Sequence, residues 1–264
     1  GHWGRVLSAI LPQDAQIFGI DLEDAWITEA TKLAALNGLQ DNFFYQKGDV
    51  LKIPFPDNTF DMVTCQTLLI HLQDPVLALQ EFIRVLKPKG ILLITEPSSA
   101  PLMFWSQGMY ELPISTFIDL IKFQYICEIG KSSLGLGWNS QGEFVAGFLA
   151  TMPVTDIQVF LSDKCNPLFP PYTQTKEQEV ISKDILERDD KEMWIWDKAT
   201  TKRYFTAGIL KDNSKLDNNE IESQFIQNWN LTKKFEAAMA ENIRHKKFSS
   251  AGGSVMYLTT AKKL

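Results

Sequence analysis

The stretch GDVLKIPFPDNTFDMVTCQTLLIHLQDPVLALQEFIRVLKPKGILLITEP, residues 48–97, decides the fold. Its centre predicts a helix from Pro75 to Leu86, because Asp74 can cap the first turn and apolar side chains recur on one face. A continuous apolar run from Gly90 to Glu96 follows this helix. Such a run is typical of a strand in a sheet that helices cover on both faces.

The same alternation of helix and strand patterns extends towards the amino terminus. A helix is predicted from Trp26 to Leu36, because Asn37-Gly38 can end it. Further strands are predicted at 16–21, 43–49 and 60–65. Strands that alternate with helices in this way predict an α/β domain with a mostly parallel sheet.

The composition is that of an ordinary globular protein and argues against several functional classes. The chain has 264 residues, of which 45% are hydrophobic, and a net charge of -6. The negative charge and the scattered Lys and Arg residues argue against a nucleic-acid partner. Because the sequence has neither a bilayer-spanning apolar run nor a signal-peptide pattern, we expect a cytoplasmic protein without membrane insertion.

The three cysteines give no sign of a metal centre or a disulfide framework. Cys65, Cys127 and Cys165 are far apart, and no histidine lies near them with metal-ligand spacing. We therefore expect reduced thiols and no bound metal.

Two acidic residues end successive predicted strands. Asp21 ends the run QIFGID, and Asp49 ends the next strand pattern along the chain. In a doubly wound sheet the ligand lies at the carboxyl ends of the strands, so acids placed there can face it. Each acid alone is explained equally well by a local role, as a helix cap for Asp21 and a turn residue for Asp49. Their occurrence together favours a nucleoside site.

Residues 16–97 resemble the class I S-adenosylmethionine-dependent methyltransferases that act on small molecules, including the ubiquinone and menaquinone biosynthesis group. The matching segments are GID at 19–21, GDVLKIPFPDNTFDMV at 48–63, TLLIHLQDP at 67–75 and RVLKPKGILLITEP at 84–97. The resemblance implies a Rossmann-like, doubly wound, mostly parallel α/β sheet. It also implies S-adenosyl-L-methionine as cofactor and a small-molecule substrate.

The resemblance further implies which residues contact the cofactor. Asp21 would accept hydrogen bonds from the ribose hydroxyls, and Asp49 with Val50 would hold the adenine. Residues 65–68 would line the methionine part. The full set of expected cofactor-binding residues is Gly1, Trp3, Asp21, Leu22, Asp49, Val50, Cys65, Gln66 and Thr67.

The beginning of the sequence departs from the family pattern. Such enzymes have a strand and a glycine-rich loop of the form D-x-G-x-G-x-G before the first helix, whereas this sequence opens with GHWGR. We interpret Gly1 as the last loop glycine and expect about forty or more preceding residues that supply the strand and loop. Without that strand, the strands ending at Asp21 and Cys65 would face each other across a gap. The alternative is a degenerate member with a weakened pocket.

The second half of the chain fits the family less specifically. An aromatic segment after the apolar strand is expected to form a mobile helical lid, with Trp105 and Tyr110 lining the substrate pocket, although core packing explains single aromatic residues as well. The expected divisions are a cofactor-binding core at 1–97, the lid at 98–138, remaining core at 139–172, a helical insertion at 173–250 and a final strand at 251–264.

Two residues are candidates for proton transfer to or from the acceptor. His71 and Glu96 each lie at or just beyond a predicted strand end. A histidine at this position can instead bond the backbone at a helix entry, and Glu96 can contact the cofactor or cap a turn. Two other functions stay open: a nicotinamide-dependent dehydrogenase, and a non-catalytic methyltransferase-like binding module. The sequence identifies neither the acceptor nor the oligomeric state.

Overall fold

The computed structural model of the chain describes residues 2–98, 112–162, 166–191, 193–212, 214–250 and 255–264. The strands are β1 (Ile17–Asp21), β2 (Phe43–Lys47), β3 (Phe60–Gln66), β4 (Leu86–Ser98), β5 (Val154–Leu161) and β6 (Val255–Lys263). The helices are α1 (His2–Leu7), α2 (Asp24–Leu36), α3 (Pro75–Val85), α4 (Ile114–Ser133), α5 (Val145–Leu149), α6 (Lys176–Asp190), α7 (Lys198–Asp212) and α8 (Asn218–Arg244). Short 3-10 turns lie at Leu69–His71 and Gly142–Phe144.

The strands form two sheets. β1 and β2 pair in parallel, and a second sheet has the order β3-β4-β6-β5. β3 runs parallel to β4, while β6 is antiparallel to both β4 and β5. Three of the four strands in the second sheet therefore share one direction. The predicted α/β class is confirmed.

Helix α3 and strand β4 form close to where the sequence predicts them. Asp74 caps the helix, since its Oδ1 accepts a hydrogen bond from Val76 N at 3.0 Å. The strand begins at Leu86 rather than at Gly90, because Leu86 already pairs with Phe60 of β3 before a register shift. Leu92 and Ile94, on one face of this strand, are fully buried, whereas Ile91 on the other face is 46% exposed. The strand is therefore buried on both faces only at its carboxyl end, from Ile94 to Ser98.

The facing edges of β1 and β3 share no backbone hydrogen bond within the described residues. Ile17 N donates to Asn42 O, and Asp21 O accepts from Gly48 N, so these two residues of β1 face β2. Because backbone groups alternate in direction along a strand, those of Phe18 and Ile20 point away from β2. Thr67 N donates to Thr95 O of β4. By the same alternation, the backbone N–H and C=O groups of the even-numbered residues of β3 point away from β4. The two sheets instead meet through side chains. The ring centroids of Phe18 and Phe60 are 5.8 Å apart.

Helices α4, α7 and α8 share a second core. Phe123 of α4 packs on the aromatic rings of Phe205 and Phe225. Helices α4 and α7 approach closely at two glycines: a Cβ at Gly130 would overlap the carbonyl of Tyr204, and one at Gly208 would overlap that of Ile126. The described part of the expected lid is thus a helix packed against α7.

Within the described residues, none of the helices combines the length and the hydrophobicity needed to span a bilayer.

Candidate active site

Asp21, which ends β1, and Asp49, two residues beyond the predicted strand's observed end at Lys47, lie at one edge of the β1-β2 sheet. Asp21 is the last residue of β1 and pairs with Lys47, the last residue of β2. Gly48 N donates a hydrogen bond to Asp21 O at 2.9 Å, so the chain passes the Asp21 backbone directly before it reaches Asp49. The pairing of β1 with β2 and the course of the chain after Lys47 therefore bring Asp21 and Asp49 to neighbouring positions.

Each acid uses one carboxylate oxygen in a local turn. Asp21 Oδ1 accepts from Glu23 N at 3.0 Å, and Asp49 Oδ1 accepts from Leu51 N at 2.9 Å. In the part of the chain that the structure describes, neither Oδ2 atom has a hydrogen-bond partner. A fixed carboxylate with a free oxygen can accept from ligand hydroxyl or amino groups.

Apolar side chains stand beside these acids. Leu22 is 56% exposed and Leu51 is 42% exposed, while Val50 is buried. Exposed leucines next to carboxylates offer a flat, apolar surface with polar groups at its margin. This combination of hydrogen-bond acceptors and apolar side chains fits a nucleoside, whose base is flat and whose ribose carries two hydroxyls.

The loop that follows Asp49 is held by helix α3, which the sequence analysis did not foresee. Arg84 donates to the carbonyl oxygens of Ile53 and Phe55 at 2.9 Å each. Glu81 accepts from Ile53 N at 2.8 Å and also binds Arg84. The carboxylates of Glu81 and Asp57, which accept hydrogen bonds from Arg84, raise the pKa of its guanidinium above the usual range. Glu81 and Arg84 are three residues apart, a spacing that places them on one helix face, and this spacing is the feature of the sequence that could have indicated the pair.

The end of β3 presents a different set of groups. Cys65 is buried, and its thiol lies 3.7 Å from Glu96 Oε1, so its side chain faces the core. Gln66 is half-buried, and Thr67 is exposed with a φ of 52°. Thr67 N donates to Thr95 O at 2.9 Å, which fixes this turn at the end of the parallel strands. Gln66 and Thr67, rather than the Cys65 side chain, are accessible here.

Glu96 is fully buried beneath the turn that follows β3. Its Oε1 accepts from Leu68 N at 2.8 Å and from Leu69 N at 3.0 Å. Its Oε2 has no hydrogen-bond partner in the described structure. Burial raises the pKa of the Glu96 carboxyl, although the backbone donors oppose that shift. The carboxyl group therefore holds the Leu69–His71 turn in place.

His71 ends this turn and remains accessible to solvent. The surrounding protein lowers the pKa of its imidazole, and the positive charge of Lys131 lowers it further. An imidazole with a lowered pKa is uncharged at neutral pH and can accept a proton. Lys131 of α4 reaches the same turn, since its Nζ donates to Ile70 O at 3.0 Å.

The remaining predicted residues are less closely connected with this edge. Trp3 of α1 donates from Nε1 to Thr64 Oγ1 of β3 at 2.7 Å, so its indole N–H is already bonded. Gly1, Trp105 and Tyr110 lie outside the described residues. The structure thus brings Asp21, Leu22, Asp49 and Val50 together, and it places Gln66, Thr67, His71 and Glu96 around the end of β3.

Comparisons with known proteins relate part of the chain to methyltransferases. Residues 1–94 match the methyltransferase domain family. A ubiquinone/menaquinone biosynthesis C-methyltransferase of Psychromonas ingrahamii is 32% identical over 124 residues, which are 47% of this chain and 46% of that protein. A demethylmenaquinone methyltransferase of Lactiplantibacillus plantarum is 33% identical over 98 residues, 37% of this chain and 41% of that protein.

The chain spans less than half the length of these curated relatives. Among solved structures, a proposed methyltransferase of Bacillus halodurans C-125 superimposes with a TM-score of 0.50 at 15% identity, covering 100% of this chain and 88% of that one. That likeness concerns the fold alone. Residues 1–94 are therefore similar to the methyltransferase domain, and part of the chain is similar to the ubiquinone/menaquinone biosynthesis C-methyltransferases.

Proposed function

We propose that the protein transfers a methyl group from S-adenosylmethionine to a small-molecule acceptor. The observation that carries this proposal is the pair Asp21 and Asp49 at the joined ends of β1 and β2, within a segment that matches a methyltransferase domain. Acids on neighbouring strand ends suit a nucleoside, which presents hydroxyl and amino donors at opposite ends.

In this proposal the edge of the β1-β2 sheet binds the nucleoside part of the cofactor. Asp21 accepts from the two ribose hydroxyls through its free oxygen, and Asp49 accepts from the adenine amino group. The exposed side chains of Leu22 and Leu51 contact the rings, and the Arg84 bonds keep the loop after Asp49 in position. Gln66 and Thr67, at the end of β3, stand where the methionine part would extend.

The cofactor supplies an activated methyl group on a sulfonium, so the chain contributes orientation and the exclusion of water. When bound, the cofactor would supply this methyl group to the acceptor atom and would keep the electron pair of the broken bond on its sulfur. Where the acceptor must lose a proton, His71 takes it on an imidazole nitrogen. Glu96 acts from below by fixing the turn that carries His71.

A second function, a non-catalytic binding module, is favoured by one observation. The nucleoside edge belongs to the β1-β2 sheet, whereas Gln66, Thr67 and His71 follow β3 in the other sheet, and no backbone bond joins β1 to β3 in the described chain. A cofactor pocket divided in this way can bind a ligand without aligning it for transfer.

Labelled methyl transfer separates the two functions. The full-length protein is incubated with methyl-labelled S-adenosylmethionine and small-molecule extracts, with demethylmenaquinone included because one relative's name mentions it. We expect label in a small molecule. For an acceptor that loses a proton, His71→Ala should reduce transfer by about 100-fold or more, while His245→Ala, at the end of α8, should not. Cofactor binding without any transfer would favour the binding module.

A further inference from the structure

Helix α4 buries the polar side chains of Gln124, Glu128 and Lys131 among apolar ones. Glu128 is 1% exposed and Lys131 is 5% exposed. Residues three apart lie on the same helix face, so both side chains point towards the same neighbours. Charged groups are almost never buried this completely unless they are paired. The hydrogen-bond partners of Glu128 and Lys131 therefore indicate which part of the structure this helix face holds.

Asn139 joins the two charged groups. Its Nδ2 donates to Glu128 Oε1 at 2.7 Å, and its Oδ1 accepts from Lys131 Nζ at 2.6 Å. Lys131 Nζ also donates to Ile70 O at 3.0 Å. A hydrogen-bonded chain therefore runs from Glu128 through Asn139 and Lys131 to the backbone of the Leu69–His71 turn.

The Ile70 carbonyl is confined from a second direction by Gly137. This glycine has a φ of 77°, and a Cβ built on it would overlap Ile70 O. Gly135 has a φ of 76°, but its Cβ would meet only the flexible side chain of Gln73, at 3.1 Å. Of these two glycines, Gly137 is the one whose missing side chain permits contact with the turn.

The turn is thus held from two sides. Glu96 of β4 accepts the N–H groups of Leu68 and Leu69 from within the core. Lys131 binds the carbonyl of Ile70 from the helical side. The residue that follows this carbonyl is His71.

We propose that Lys131 is a positioning residue, which fixes the Leu69–His71 turn from the end of α4 and so determines where the His71 imidazole stands. The part of His71 in methyl transfer rests on the proposed function above, whereas the link between Lys131 and the turn does not. The carboxyl-terminal helices are then coupled to the end of β3 through a single buried cation.

The charges around the turn allow this link to be measured. Lys131 from α4 lowers the pKa of His71, and burial lowers the pKa of Lys131 itself, which Glu128 opposes. The other ionisable groups packed against the turn from the described elements are Glu128, held by Asn139, and Glu96 of β4. Asp74 follows at the start of α3. Loss of the Lys131 charge therefore raises the pKa of His71.

The test uses NMR titration of the histidines and amide hydrogen exchange on the cofactor-free protein. Lys131→Met should raise the pKa of His71 towards its ordinary value, and His71→Ala identifies the resonance. It should also speed exchange at the amides of His71 and Leu72, which bond to Leu68 O and Leu69 O, by about tenfold or more. Lys122→Met, on the exposed side of the same helix, should change neither quantity.

Lys131→Met leaves Glu128 buried without a counter-charge, which destabilises the fold. Two further comparisons test the proposal if that variant does not fold. The double variant Glu128→Gln, Lys131→Met removes both charges and should still raise the His71 pKa. Gly137→Ala should speed exchange in the turn more than Gly135→Ala, which has the same backbone strain. An unchanged His71 pKa and unchanged turn exchange in the folded variants would overturn the proposal. Cofactor binding by wild-type protein tests the proposed function separately.

Discussion

At the scale of single residues, Glu96 gives the clearest consequence for pH. Burial raises the pKa of its carboxyl, so the folded chain keeps the proton at pH values where the unfolded chain has lost it. The free energy of unfolding should then decrease as pH rises from the ordinary glutamate pKa to the raised one. Glu96→Gln should flatten this decrease, as measured by urea denaturation across that pH range.

The control variant is Glu29→Gln, which makes the same substitution on the exposed surface of α2. It should leave the pH dependence of stability as it is in wild-type protein. Because Glu128 and Glu236 are also buried with raised pKa values, Glu96→Gln should remove only part of the dependence. The same dependence in the Glu96 variant as in wild-type protein would show that this carboxyl is ionised in the folded chain.

The sequence could indicate Asp21 and Asp49 as site candidates because each directly follows a short apolar strand pattern. It could not indicate Lys131, whose bond to Ile70 joins residues 61 positions apart. It also could not show that the Cys65 side chain faces the core, since strand alternation gives two faces but not which one is covered. Local pattern predicts position along the chain, whereas burial depends on the neighbours that folding supplies.

At the scale of elements, the contact between α4 and α7 depends on two glycines. A Cβ at Gly208 would overlap the carbonyl of Ile126, so Gly208→Ala must push the helices apart. We expect a loss of about 1–3 kcal/mol in the free energy of unfolding, the usual cost of overpacking. Chemical denaturation of the variant measures this loss.

Gly147 in α5 provides the control, because a Cβ there would meet nothing within 4 Å. Gly147→Ala should stabilise the protein by up to about 1 kcal/mol, since alanine favours helix. Equal effects of the two changes would contradict the close packing of α4 on α7. The sequence predicted α3 well from its cap and periodicity. It did not predict this helix pair, because glycines within helices resemble breaks in the pattern until a partner helix is known.

At the scale of the whole molecule, the alternation of strands and helices was sufficient to predict the α/β class. The pairing of strands was harder to predict, since it depends on contacts between distant segments. The division into two sheets makes a measurable difference between neighbouring amides. Phe18 and Ile20 point their backbone N–H groups away from β2, whereas Gly19 and Asp21 point theirs towards it.

We therefore expect amides of Phe18, Ile20, Met62 and Thr64 to exchange with solvent faster than those of Gly19, Asp21, Val63 and Cys65 in a protein of this sequence. Amide exchange resolved by NMR measures each group. Equal protection along both strands would mean that another strand bonds to the facing edges of β1 and β3.

Calorimetric titration with S-adenosylhomocysteine shows whether this sheet edge binds the nucleoside of S-adenosylmethionine. Wild-type full-length protein should bind, and Asp21→Ala should weaken binding by at least about tenfold, because two ribose hydroxyls lose a charged acceptor. Asp41→Ala, exposed before the opposite end of β2, should bind as wild-type protein does. Wild-type affinity in the Asp21 variant, or no binding by the wild-type protein, would contradict the account.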